Sequence, residues 1–183
     1  MIVRLGLHLV PAILLIGLVG CSTSDSTPRT ALFPPRPAEI DVQRTSACSM
    51  LSEEQQIRLE LGGGKPSTRN VEGLPSPTCT WLSRKGVDFN IQLIPADPTA
   101  ATQLPGAEVT QVDGFGAVQN APAETMGGGP ICQIAIDAAP GQTIRVQALT
   151  RTNPPPIPVD QLCQRATEAA SMVMTTVVAT ASR

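Results

Sequence analysis

Val87-Asp88-Phe89-Asn90-Ile91-Gln92-Leu93-Ile94 alternates apolar and polar side chains until Pro95 stops it. A period of two puts Phe89, Ile91 and Leu93 on one face of an extended strand, the face a core would cover. Just upstream, Cys79-Thr80-Trp81 repeats the pattern, with Cys79 and Trp81 on one face. Arg84-Lys85-Gly86, between the two runs, predicts a hairpin turn. Downstream, short strands are expected at 107–112, 116–119, 131–137 and 143–149, the last two flanking the turn signal Pro140-Gly141.

Helical spacing appears at both ends of this block. Ser52 with Gln55 three positions on has the capping-box pattern, Ile57, Leu59 and Leu61 supply apolar contacts, and Gly62-Gly63-Gly64 closes the segment. Near the C-terminus, Val159, Leu162/Cys163, Ala166, Ala169/Ala170, Val173 and Val177 recur at three and four, one apolar stripe through about Thr180. Asp160 is placed to cap that helix, and Pro154-Pro155-Pro156 and Pro158 mark the break before it. The order of elements predicts an α+β fold. It consists of an antiparallel sheet of about five to six strands, with an N-terminal helix and a longer C-terminal helix packed mostly on one face.

Composition limits the chemistry. The chain has 183 residues, 13 Lys and Arg, 15 Asp and Glu, and a formal net charge of −2. Removing the first 20 residues, whose only charged side chain is Arg4, leaves 12 basic and 15 acidic groups. That balance argues against nucleic-acid binding, which needs a concentrated basic face. The one histidine, His8, lies in those 20 residues, and there is no tyrosine. The remainder therefore has no Ser-His or Cys-His couple and no imidazole metal ligand. No metal and no cofactor is expected.

Residues 1–20 read as a secretory signal: a positive start through Arg4, an apolar stretch from Leu5 to Val19, and a small residue before the cut. About 15 apolar residues are short for a bilayer span, which takes roughly 20. Residues 21–46 read as a tether. Twelve of the 25 residues from Ser22 to Ser46 are Ser, Thr or Pro, including Phe33-Pro34-Pro35-Arg36-Pro37, which suits an extended spacer or a Pro-rich recognition motif. The single domain is expected over 47–183.

With Cys21 set aside, four cysteines remain, an even number that reads as two disulfides in an exported domain. Three pairings are open. Cys48–Cys79 and Cys132–Cys163 are favoured, because each joins a helix end to a strand and each spans 31 positions. A zinc site is the rival, but no C-x-x-C pair is present.

Leu18-Val19-Gly20-Cys21 resembles the lipobox of bacterial lipoproteins. That likeness implies a diacylglyceryl group on Cys21, a palmitate-type acyl anchor, and a domain on the outer, extracytoplasmic face of the cell membrane. The lipobox, Cys48-Ser49-Met50-Leu51-Ser52-Glu53-Glu54, Cys79-Thr80-Trp81, Val112-Asp113-Gly114-Phe115-Gly116, and Cys132 and Cys163 together resemble one family. It is the set of actinobacterial cell-envelope lipoproteins catalogued as domain of unknown function 3558. Met50 stands where that pattern has leucine. The arrangement is also distantly similar to extracytoplasmic sensor domains of mycobacterial receptor kinases, two-disulfide α+β modules. These likenesses imply compartment and architecture, and no reaction.

The candidate sites are few. Gly62-Gly63-Gly64-Lys65-Pro66-Ser67 departs from a phosphate loop, because Pro66 follows the lysine, and reads as a helix stop and loop. Gly127-Gly128-Gly129-Pro130 reads as a loop tip before a strand. Trp81, Phe89 and Phe115 are the candidate pocket residues, although core packing is favoured over ligand contact for Phe115 and cover of the neighbouring bridge is favoured for Trp81. Glu53, Glu54 and Glu60 read as a solvated helix face, although two carboxylates alone can serve a glycosidase. The expected function is binding rather than catalysis. The protein is expected to be a lipid-anchored envelope binding or sensor module for a lipid, glycan or peptide. The alternative is an accessory lipoprotein docking on a membrane transport or secretion complex.

Overall fold

Seven antiparallel strands form one sheet, more than the five to six expected. They are β1 (Lys65–Val71), β2 (Leu74–Trp81), β3 (Val87–Ile94), β4 (Glu108–Val112), β5 (Phe115–Asn120), β6 (Ile131–Ala139) and β7 (Gln142–Thr150). Their order is β1-β2-β3-β7-β6-β5-β4. The structure, a computed structural model, describes residues 32–122, 129–151 and 157–181. The unexpected strand is β1, read from sequence as glycine-rich loop running into Lys65-Pro66-Ser67. Its side chains from Lys65 to Asn70 are exposed, so no face of it is buried and no alternation is written into it. Backbone pairing to β2 holds it, in register from Lys65 opposite Thr80 to Val71 opposite Leu74. Its Lys65, Pro66 and Arg69 suit an open sheet edge, where charge and proline discourage further pairing.

Turn chemistry sets the hairpins. Glu72-Gly73 and Asp113-Gly114 join β1 to β2 and β4 to β5, with φ of 52° and 84° in the first and 49° and 85° in the second. Positive φ at both residues is the two-residue turn whose twist matches the strands it joins. The expected turn at Arg84-Lys85-Gly86 joins β2 to β3, with Gly86 at φ 99°.

One face of the sheet carries the core. Trp81, Phe89, Ile91, Leu93, Phe115, Ile134, Ile136, Ile144 and Val146 are buried there. Helix α2 (Val159–Ala181) packs on β6 and β7 and reaches β4. Its buried stripe is Leu162, Ala166, Ala169, Ala170, Met172, Val173, Met174 and Val177. The alanines let the helix backbone come close to the sheet. Asp160 is not the cap expected of it. The helix starts at Val159, the Leu162 N–H donates to Pro158 at 3.0 Å, and Asp160 sits in the first turn, where its charge meets the positive end of the helix.

Helix α1 (Glu53–Arg58) has the anticipated capping box, with Gln55 N–H on Ser52 Oγ at 3.2 Å and Ser52 N–H on Gln55 Oε1 at 2.9 Å. It ends before Gly62-Gly63-Gly64, and Ile57, expected in the core, is 68 % exposed; Leu59 is buried. Gly64 lies tight against Cys79 Sγ and Trp81, where a Cβ would come within 2.7 Å of each. Close approach explains that glycine.

The disulfides are Cys48–Cys79 and Cys132–Cys163, with Cα–Cα distances of 5.0 and 5.1 Å. The first ties the turn Ala47–Ser49 to β2, and the second ties α2 to β6. Each closes a loop worth about 3.7 kcal/mol in the chain-entropy account.

The stretch assigned to the tether departs from that reading over its second half. Phe33 lies against Gly116, where a side chain would collide with its ring. Arg36 pairs with Asp137 at 2.8 Å, the Ile40 N–H donates to the Ala138 carbonyl at 2.9 Å, and the Val42 N–H donates to Gln142 Oε1 at 2.8 Å. A bulge between Asp137 and Ala139 interrupts the ladder to β7 and frees the Ala138 carbonyl for Ile40. Ile40 and Val42 are buried in the core. Averaged composition hid these two side chains among Ser, Thr and Pro. Residues 1–20, and Cys21, lie outside the described residues.

Candidate functional site

A cleft of about 1000 Å³ opens between the end of α1, the β2–β3 turn and the first turns of α2. Leu59, Val87, Phe89 and Ile157 form its apolar floor, while Arg58, Glu60, Lys85, Asp160, Arg165 and Glu168 line its walls.

The wall at α1 is made by the way that helix stops. The Leu61 N–H donates to Gln56 at 2.9 Å and the Glu60 N–H to Ile57 at 3.0 Å, a Schellman ending that needs a left-handed residue at Glu60, whose φ is 58°. Glycine is the ordinary occupant of such a position. Here the residue is a glutamate, and its carboxylate meets Lys85 Nζ at 2.6 Å across the cleft.

The facing turn is braced from below. Asp88 accepts from the Ser83 N–H at 2.7 Å and pairs with Arg151 Nε at 3.2 Å. The Lys85 N–H donates to Ser83 Oγ at 2.9 Å, and the Gly62 N–H to the Leu82 carbonyl at 3.0 Å. On the third side, helical spacing brings Asp160, Gln164 and Glu168 to one face, with Gln161 and Arg165 beside them. The Cys132–Cys163 bridge fixes this part of α2 to the sheet.

Of the three candidate pocket aromatics, only Phe89 reaches the cleft, as part of its floor. Trp81 and Phe115 are 0 % and 1 % exposed, closed into the core as the favoured reading of both had it, and neither lines the cleft. The Asp113-Gly114 bend directs Phe115 inward, and Trp81 stands beside Gly64 and Cys79. The motifs around these residues therefore build the scaffold: four cysteines in two bridges, a tryptophan beside one of them, and a tight hairpin. Residues 16–176 match the family described as Protein of unknown function (DUF3558). The chain belongs to that family. Neither curated proteins nor solved structures gave a match.

The cleft was not legible in the sequence. Arg58, Lys85, Asp160, Arg165 and Glu168 come from three separate segments, and Glu60 read as part of a solvated helix face. The available signal was a glutamate, rather than a glycine, immediately after the helix.

The cleft holds three cationic and three anionic side chains. Two pairs are formed within it, Lys85–Glu60 at 2.6 Å and Arg165–Glu168 at 3.3 Å, all four side chains well exposed. Exposed pairs contribute roughly 0–1 kcal/mol, so a ligand can exchange them at little cost. Arg58 and Asp160 have no ion-pair partner among the described residues. Ile57, Leu82 and Val159, each next in sequence to a lining residue, are exposed apolar side chains.

Proposed function

We propose that the protein is a lipid-anchored extracytoplasmic binding module of the cell envelope, held at the membrane by a diacylglyceryl group on Cys21. In this reading the charged cleft contacts an extended peptide segment of an envelope partner, and the protein binds rather than transforms it. The cleft carries the proposal: charges of both signs stand above an apolar floor, between walls braced by a disulfide and by the Asp88–Arg151 pair. A lipid tail would prefer a more enclosed apolar cavity, and a glycan would want exposed aromatic faces. Neither the charged rim nor the buried Trp81 suits them.

Chain geometry keeps the cleft apart from the tethered end of the sheet. The N-terminal segment meets the sheet at Asp137 and Gln142, beside the Ile94 end of β3, whereas the cleft opens at the Val87 end. The length of β3 separates the two ends by about 23 Å. Leu32 follows Cys21 by eleven positions, a reach of at most about 40 Å. A tether of that reach is longer than β3 and leaves the cleft accessible to an envelope partner.

The second reading, an accessory protein docking on a membrane transport or secretion complex, draws on the exposed Ile57, Leu82 and Val159 beside the cleft. Site-specific photo-crosslinking in the native envelope tests the shared contact surface. A probe at Gln161 is expected to give a discrete adduct that a probe at Thr68, on exposed β1, does not, and Cys21→Ala should abolish both the adduct and membrane retention. Equal adducts from the two positions would overturn the cleft as contact site, and retention of Cys21→Ala after detergent-free washing would overturn the anchor.

A further inference from the structure

The face of the sheet turned away from α2 holds a second site. Between β3 and β4 the chain forms a 3₁₀ turn, Pro98–Gln103, that packs on β5 and β6. Asp97 caps this turn by accepting from the Thr99 N–H at 2.9 Å, and the Asn120 side chain donates to the Pro105 carbonyl at 2.6 Å, pinning the turn to the sheet. Under it lies a small pocket of about 80 Å³ with aliphatic walls that include Ile94, Ala101, Leu104 and Ala135. Arg145 lines it from β7.

Arg145 is unusual in its partners. Its Nε donates to Gln92 Oε1 at 2.7 Å and its Nη2 donates to the same oxygen. Gln92 is buried, and it is neutral. No carboxylate stands within ion-pair distance of Arg145 among the described residues. A guanidinium has five N–H donors arranged to match a carboxylate edge, and one amide oxygen engages only part of them. Burial holds the Arg145 pKa below its ordinary value, the negative charge of Glu72 raises it, and the positive charge of Arg69 lowers it. The direct partner of this half-buried cation is thus neutral, and the nearby Glu72 acts on it only from beyond ion-pair distance.

We propose that this pocket binds the carboxylate of a small ligand or of a chain end, with Arg145 as its charged anchor and the aliphatic walls taking a short apolar substituent. The planar carboxylate pairs with the remaining guanidinium donors. Two features favour a carboxylate over phosphate. Glu72 and Asp97 line the same pocket and repel a dianion more strongly than a monoanion, and the volume suits a few heavy atoms against apolar walls. The site lies on the other face of the sheet from the core and does not depend on the cleft.

The test is a titration of the full mature chain followed by amide and arginine side-chain NMR, using sodium butyrate, N-acetyl-alanyl-alanine and inorganic phosphate as separate probes. Saturable shifts at Arg145 and residues 94–104 with either carboxylate are expected, weakened at least tenfold in Arg145→Gln. Ala101→Leu, which fills the pocket from the turn without touching the sheet pairing, should have the same effect, so a misfolded Arg145 variant does not decide the result. Butyrate binding alone would mark a free short acid as the ligand, and peptide binding alone would mark a C-terminus. Phosphate binding as tightly as the carboxylates, or no saturable shift at all, would overturn the proposal and leave Arg145 as a brace for Gln92.

Discussion

Gln55 and Met172 are joined across the helix pair: the Gln55 side-chain amide donates to the Met172 carbonyl at 2.9 Å. The same side chain closes the capping box at Ser52 and accepts from Thr176 Oγ1 at 2.9 Å. A six-residue helix with no fully buried side chain has little stability of its own. One glutamine therefore both starts α1 and fastens it to α2, and it sets the position of the cleft wall that follows. Gln55→Ala is expected to cost about 1–2 kcal/mol, measured by chemical denaturation, with Glu54→Ala within about 0.5 kcal/mol of wild type. Equal effects of the two substitutions would mean the contact with α2 contributes nothing.

Val173 tests the stripe on α2. It is fully buried against the sheet, and Thr175, two residues on, is exposed. Val173→Asp places an unpaired charge in the core and is expected to abolish the cooperative melt seen by circular dichroism. Thr175→Asp should leave the melting temperature nearly unchanged.

How legible each element was depends on what covers it. β3 was readable to the residue, Val87 to Ile94, because one of its faces is core and the alternation follows from that. α2 was readable because a sheet covers one stripe of it. β1 has no covered face, so only its pairing partner defines it and no local pattern announces it. Arg145 falls at an outward position of β7, where the alternation reads as solvent. It is the crossing turn Pro98–Gln103, far away in sequence, that covers it. Both candidate sites are thus assembled from segments that meet only in the folded sheet, while the cysteines, Trp81 and Phe115, which do form local motifs, serve the scaffold.

The Arg36–Asp137 pair is one of the contacts that tie the segment before Ala47 to the sheet. Arg36 is partly covered, with 24 % of its side chain exposed, and Asp137 is at 5 %. Removing the arginine leaves a carboxylate shielded from water without its counter-charge. Arg36→Ala is expected to cost about 2 kcal/mol, and Asp137→Asn in the same chain should recover part of that loss. A double-mutant cycle with zero coupling energy would mean that the buried Ile40 and Val42, and not this pair, hold the segment to the sheet.

Glu60 occupies a left-handed position that stabilises the chain best when it holds glycine. A non-glycine residue there costs about 1–2 kcal/mol, and its exposed pair with Lys85 returns at most a fraction of that. Glu60→Gly is therefore expected to raise stability by up to about 1 kcal/mol, the remainder being offset by the greater entropy of glycine in the unfolded chain. The same change removes a cleft carboxylate and frees Lys85, so the crosslink expected from Gln161 should weaken as stability rises. A rise in stability with an unchanged crosslink would separate Glu60 from partner binding. A fall in stability would show that the Lys85 pair outweighs the backbone strain, and that the glutamate is kept for the fold.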